Sequence, residues 1–492
     1  MRAIDSSWTT RSVPWPENIL AAVRAYAAAG EVAWLDTAAT GADCGVSLIG
    51  IDPVAVLEQH VGSPAALRIP GRGVKHDASA WRLWQSAVGR TPPHGPLKWR
   101  LGPGWVGYLG YEMSRQLERL PTAHLHTLTL PLCRLWLFDV VIVFDHNEHR
   151  ATAIQSNGLR EAYGLTPKLL EVTCERWVSA TRAVSWPKPA DVTTCVFEDR
   201  ATHEARVRAA LERIAAGDIY QVNLAQRTLV NGVDDPFHAY GRLRDINPAG
   251  YAALLKWGDG AVLSASPELM LRAEEDRLVT RPIKGTRPRI GDEEIDAVRR
   301  RELLASEKDA AELAMIVDLH RNDLGRVSRY GTVQVTRARD LENHPTVMHT
   351  VAEIESRLAR GKSGLEALMA MFPAGSITGA PKISAMKIID ELESAARGVY
   401  TGSIGALGLN GDLTFNVAIR TAQVCEGVAS VWSGGGIVAE SDPAEEYEET
   451  LAKARGLLAA LDVPVGAPKS ASLREVAAPA TDHGIGVDAP EP

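Results

Sequence analysis

The spacing of apolar residues changes character several times along this chain. From Leu135 to Phe144 every position but Asp139 is apolar. A run of that length without alternation predicts one strand buried on both faces. Gly102 to Tyr111 mixes regularly spaced glycines with Trp105, Tyr108 and Tyr111, which predicts a strand that another backbone approaches closely. Glu204 to Ala216 has helical periodicity and stops at Gly217, a usual C-terminal signal. Ser306 to Val317 is again helical, and Asp442-Pro443 opens a further helix with Asp as N-cap and Pro at the first turn. Phe415 to Ala422 alternates as a strand, with Phe415, Val417 and Ile419 on one face and Asn416 and Arg420 on the other. Val431 to Val438 reads as strand, glycine loop, strand. Ser185 to Ala190 reads as a linker. It divides a mixed region, 1–186, from a second, 197–461, in which strands and helices alternate irregularly. The Ala- and Pro-rich stretch 466–492 is expected to be a disordered tail.

Composition narrows the class. A chain of 492 residues with 45% hydrophobic and 23% charged content is ordinary for a soluble protein of two or more domains. The 53 basic and 61 acidic residues leave a charge of −8. That argues against nucleic acid as a partner, while a local basic cluster could still take a small anion. The cysteines, Cys44, Cys133, Cys174, Cys195 and Cys425, form no CxxC pair, as suits a reducing cytoplasm. No secretory signal and no membrane span is expected: Val140 to Phe144 is strand-sized and flanked by Asp139 and Asp145. Arg360-Gly361-Lys362-Ser363 is no phosphate loop, because Ser356 stands where that motif needs glycine.

Candidate chemistry centres on Lys284, in Arg281-Pro-Ile-Lys-Gly-Thr-Arg-Pro-Arg289. An amine beside other cations has its ammonium form disfavoured and can become a nucleophile; a lone lysine in such a stretch is more often a solvated turn. Asp309 and Glu312 share one helix face, as do Glu446 and Glu449 on the other helix, with Lys453 a turn later. Carboxylates from two helices would make an oxygen site suited to Mg²⁺, or would merely complement helix dipoles. Gly434-Gly435-Gly436 and the turn 375–382 are either backbone anion sites or a hairpin and an ordinary cap. Arg420 is a carboxylate clamp or part of a solvated sheet face. Glu268, after the strand-like 261–264, is a general acid or base or a solvated carboxylate, and His349 a substrate contact or a core histidine.

Eight segments in this order resemble one family, the chorismate-utilising enzymes. They are Asp218 to Leu224, Ser266-Pro-Glu268, Arg281 to Pro288, Asp318 to Leu324, Thr378 to Lys382, Tyr400 to Gly405, Phe415 to Thr421 and Gly434 to Val438. Residues 1 to about 150 resemble the family's N-terminal region more loosely, through Gly107 to Tyr111 and the 135–144 run. The resemblance implies an α+β fold, an antiparallel β-sandwich core flanked by helices, with the active cleft built by 197–461. It implies Mg²⁺ held by Glu312 and Glu449, with Asp309 and Glu446 nearby. Arg420 and Gly434, Gly435 and Gly436 would hold substrate carboxylate, and Glu268 would act as the acid that expels the C4 hydroxyl. Thr378, His349, Tyr400, Gly402 and Lys453 match pocket positions. Gln221 stands where the water-adding branch carries a lysine base. Lys284 resembles the lysine of the aminodeoxychorismate-forming branch, where the anthranilate-forming branch has alanine. The implied partners are chorismate, ammonia and a glutaminase subunit, with a tryptophan-like ligand in the N-terminal sandwich.

Overall fold

The computed structural model describes residues 7–28, 30–37, 45–89, 94–183, 194–344 and 347–463. The expected linker at 185–190 and tail at 466–492 lie outside them. Among the described residues the strands form two sheets of 12 strands each, with antiparallel neighbours. Both sheets draw on both halves of the sequence. In the first, Val32–Asp36 pairs with Tyr251–Trp257; in the second, Gly104–Leu109 pairs with Ser403–Gly408.

Leu48, Val106, Tyr108, Trp136, Val143 and Val262 pack together between the sheets. Helices cover the outer faces. On one side Tyr26, Trp177 and Leu457 meet Trp34 and Phe144; on the other Trp81, Leu313 and Met371 meet Leu135 and Leu271. No described helix is long and apolar enough to cross a membrane.

Two runs expected as single strands instead pass from one sheet to the other. Cys133–Phe138 lies in the second sheet and Val140–Asp145 in the first, with buried Asp139 at the corner. Every side chain along that run is buried against one core or another, so periodicity carried no sign of the break. Likewise Leu413–Asn416 belongs to the second sheet and Thr421–Cys425 to the first. Residues 417–420 cross between them, ending on Arg420 at a φ of +51°. Asn416 and Arg420 therefore do not share a strand face, and they line separate cavities.

Other expectations hold with shifted bounds. Arg200–Ala215 is helical from four residues earlier than expected, because Asp199 caps it. Gly104–Leu109 is a strand in which a Cβ at Gly107 would clash with the Arg134 carbonyl. The glycines at 434–436 form no loop: Val428–Ile437 is one continuous strand paired with Gln221–Asn231.

Candidate active site

A cavity of about 720 Å³ opens beside Arg420, where Thr421–Cys425 begins. That strand pairs with Val428–Ile437 only as far as Ala422↔Val431. Beyond it, residues 432–437 keep just one neighbour, Gln221–Asn231. The Asn223 and Ala225 N–H groups donate away from Val428–Ile437, to the Thr378 carbonyl and the Glu393 carboxylate. Their register partners are Gly436 and Gly434. Opposed residues of such an antiparallel pair point their peptide groups apart. The N–H groups of Gly434 and Gly436 thus face the open side, and Lys453 Nζ meets the Gly434 carbonyl there at 3.0 Å.

Absent side chains keep this strand surface clear. A Cβ at Gly436 would clash with the Gln221 amide and come within 3.5 Å of Lys284 Nζ. One at Gly435 would lie 2.8 Å from Glu446 Oε2.

Lys284 stands on Ile283–Pro288 beside a register shift against Val347–Arg357. Gly285 makes the shift at a φ of +70°, where a Cβ would crowd Leu303 and Asp309. A bulge of this kind re-aims side chains: Lys284 faces the cavity 3.7 Å from Glu312 Oε2, and Thr286 reaches His349 Nδ1 at 2.9 Å. The three arginines around Lys284 do not crowd it with bare charge, as the sequence suggested. Arg281 pairs with Glu342 and Glu353, Arg287 with Asp309 and Arg289 with Asp296.

The two carboxylate helices meet at this cavity. Ser306 caps Glu307–Gly325 and Asp442 caps Pro443–Ala460, so both present their first turns to it. Asp309, Glu312, Glu446 and Glu449 all line the cavity. Ser441 donates to Glu446 Oε1 at 2.7 Å, whereas Oε2 is buried without a partner, and burial raises this carboxyl's pKa. Burial opposes ionisation of Glu449 too, but Lys453 at 2.6 Å prevails and holds it below its ordinary value. No three acidic or histidine groups among the described residues converge on a point. Mg²⁺ needs only one or two protein carboxylates when substrate oxygens and water complete its shell. The partnerless Glu446 oxygen and the all-oxygen set therefore fit that ion.

Glu268 is 3% exposed between two strands. Burial pushes its carboxyl up to about 7, although the Ser376 hydroxyl donates to Oε1 at 2.5 Å and Lys284 lies near. His349 Nε2 is buried without a partner. Burial, reinforced by Arg420 and His344, lowers the ring well below its ordinary value, so the imidazole is neutral at pH 7. Arg420 and Tyr400 also line the cavity.

Thr378 and Gly402 stand behind the wall. The Thr378 hydroxyl donates to the Ala374 and Gly375 carbonyls. A Cβ at Gly402 would strike the Leu109 carbonyl, so that glycine serves packing of the second sheet. The helix Lys382–Leu392 does not offer its N-terminus to the cavity; Pro381 occupies the cap, and Lys382 turns to Asp323 at 2.5 Å. Ser376 and Lys308, which lies 4.0 Å from Glu446, were not singled out from sequence. For Ser376 the signal was present, as the hydroxyl residue two places before Thr378.

A second cavity, of about 280 Å³, lies between the sheets near the Val32–Asp36 and Tyr251–Trp257 pairing. Asp36, Trp99, Arg272 and Asn416 are among the residues that line it.

Residues 32–459 match the family model described as chorismate binding enzyme. Anthranilate synthase component 1 of Acetivibrio thermocellus is 37% identical over 433 residues, 85% of this chain and 87% of that protein. Aminodeoxychorismate synthase component 1 of Bacillus subtilis is 38% identical over 364 residues, 73% and 77% of the two chains. The crystal structure of anthranilate synthase component I from Streptococcus pneumoniae superposes with a TM-score of 0.74 at 30% identity, covering 85% of this chain and 93% of that one. With a family match over most of its length, and a fold shared with a solved relative, the chain belongs to the chorismate-binding enzyme family.

Proposed function

We propose that the protein is an aminodeoxychorismate synthase, component I, which replaces the C4 hydroxyl of chorismate by an amino group. The observation that carries this reading is Lys284 on the cavity wall, beside Gly436 and the buried acid Glu268. A substrate carboxylate would sit at the open strand edge, held by Arg420 and the Gly434 and Gly436 N–H groups. Glu312 and Glu449, with Glu446 and Asp309 close by, would hold Mg²⁺; bound there, the ion would neutralise carboxylate charge and draw electrons from the ring.

In the first displacement Lys284, having lost its ammonium proton to solvent, attacks C2 as the amine. The two ring double bonds shift, and the C4–O bond breaks as Glu268 donates its proton, giving water, a lysine adduct and the Glu268 carboxylate. In the second, ammonia attacks C4, the double bonds shift back and the C2–N bond breaks, freeing the Lys284 amine. The new ammonium group returns one proton to Glu268. Nitrogen replaces oxygen and nothing is oxidised. Gln221, placed beside Gly436, offers no basic amine to activate water.

None of the five cysteines lies in a Gly-x-Cys-x-Gly elbow. The chain alone would therefore use ammonium, and glutamine would serve only through a partner glutaminase. The cavity between the sheets, of about 280 Å³ and lined among others by Asp36, Trp99, Arg272 and Asn416, is where a tryptophan-like ligand would bind.

Anthranilate synthase component I is the second reading, favoured by the Acetivibrio and Streptococcus relatives above; there ammonia would add directly at C2. Purified chain with chorismate, Mg²⁺ and ammonium, with and without an aminodeoxychorismate lyase, separates the two. Para-aminobenzoate formed only with lyase supports the C4 reading, and anthranilate with pyruvate in its absence overturns it.

A pH profile tests the acid. Glu268 must carry a proton, so kcat/KM is expected to fall as pH rises through about 7. The Ser376 hydrogen bond favours the carboxylate. Ser376→Ala should therefore raise the Glu268 pKa and move this alkaline limb upward. An unmoved limb would assign it to another group.

A further inference from the structure

Behind the cavity wall lies a buried guanidinium that the reaction scheme leaves unused. Arg397 is 1% exposed, and it spends all five of its N–H donors inside the protein. Nε and one Nη2 hydrogen go to Glu393 at 2.9 and 2.6 Å, and the other Nη2 hydrogen to the Asn223 carbonyl at 2.7 Å. Nη1 reaches the Ile377 carbonyl at 3.1 Å and the Thr401 hydroxyl at 3.2 Å. The Tyr111 and Tyr400 rings lie 4.9 and 5.8 Å from its central carbon.

Three of these contacts are to separate pieces of the cavity wall. Asn223 belongs to the strand that pairs with the glycine stretch. Ile377 follows Ser376, the hydrogen-bond donor to Glu268. Tyr400 lines the cavity directly. The hub is itself anchored from the other half of the sequence. Glu112, buried beside the strand Gly104–Leu109, accepts from the Arg397 and Gly398 N–H groups at 2.8 and 3.1 Å. Gln423 accepts from Val399 N–H and donates to the Arg397 carbonyl. Lysine could replace the charge opposite Glu393, but it could not grip two carbonyls and a hydroxyl in fixed directions at once.

We propose that Arg397 is a positioning residue for catalysis. By holding the Asn223 and Ile377 carbonyls and the Tyr400 ring in one arrangement, it fixes the turn that orients Glu268 against the substrate. None of Arg397's hydrogen bonds goes to the groups expected to carry most of the substrate carboxylate's binding, Arg420 and the Gly434 and Gly436 N–H groups; it reaches the glycines only through the Asn223 strand, which their own ladder also holds. Loss of the grip should thus spare binding and spoil the alignment of the acid. Small displacements of a positioned group cost about 10²-fold in rate. The inference rests on Glu268 acting as the acid of the proposed reaction.

The test compares wild type with Arg397→Lys in the full chain, following chorismate consumption with Mg²⁺ and ammonium whatever the product. A thermal melt of each protein comes first. For folded Arg397→Lys, kcat should fall tenfold or more while KM for chorismate changes less than threefold. Should this variant fail to melt cooperatively, Glu112→Gln, which weakens the anchor and leaves the guanidinium in place, should give the same split with a smaller fall in kcat. Unchanged kcat in the folded variant, or a rise in KM that accounts for the whole loss, overturns the positioning role. Wild type that consumes no chorismate overturns the proposed function instead, and this is read in the same experiment.

Discussion

Replacing Lys284 by alanine is expected to reduce amination at C4 by about 10³-fold or more, the scale seen when a covalent nucleophile is removed. The lost interaction is slight, an ion pair of 3.7 Å to Glu312 from a side chain that keeps 14% exposure. Folding should survive it, and a melt within a few degrees of wild type would establish that the rate loss is chemical. Wild type mixed with chorismate and Mg²⁺ in the absence of ammonia should accumulate a covalent adduct, visible by intact-protein mass spectrometry and missing from Lys284→Ala. The adduct should disappear when ammonium is added, because the second displacement releases the lysine. Wild type without an adduct, joined to a variant of full rate, would sink the covalent route.

Glu312→Ala is expected to abolish Mg²⁺-dependent turnover. Glu312 shares its cavity wall with Asp309, Glu446 and Glu449 and points its carboxylate at Lys284. Removing it takes away one of the few protein oxygens available to a cation that relies on one or two of them. A readout independent of activity is the melting temperature. A ligand held at about 100 times its Kd stabilises the folded state by about 2.7 kcal/mol. Mg²⁺ should therefore raise the wild-type midpoint and leave that of Glu312→Ala almost unmoved. A variant that keeps normal activity at limiting Mg²⁺ would refute the assignment of Glu312 as a ligand.

What the sequence revealed depended on whether a residue's role is local. The cap at Asp442 and the spacing of Glu446 from Glu449 are local facts, and the structure has them where the sequence placed them. The meeting of those helices is not local: nothing within either one encodes the other's position. The corners at Asp139 and at 417–420 were hidden for a different reason. The 135–144 run is buried on both sides of Asp139, so it looks like one strand, and at 417–420 the polar residues Asn416 and Arg420 fall at alternating places and mimic one face of a strand. The triple glycine misled in the opposite direction. Glycine usually marks a turn, but here it keeps a strand bare so that a cavity can exist beside it. The arginines around Lys284 were legible as charges, whereas their partners, Glu342, Glu353, Asp309 and Asp296, could be found only by folding the chain.

The late start of Thr421–Cys425 also makes this stretch of sheet a reporter of ligand. Sheet edges left open usually invite another chain to add a strand. Here a small anion would do the equivalent, filling the edge at Gly434 and Gly436. In deuterated buffer the amide hydrogens of Ser433 and Gly435, which face Gln221–Asn231, should exchange slowly whether or not chorismate is bound. Those of Gly434 and Gly436 should exchange quickly in the free protein and become protected on binding. That alternation, odd positions indifferent and even positions responsive, would reveal an occupied cleft even in a variant that no longer turns over.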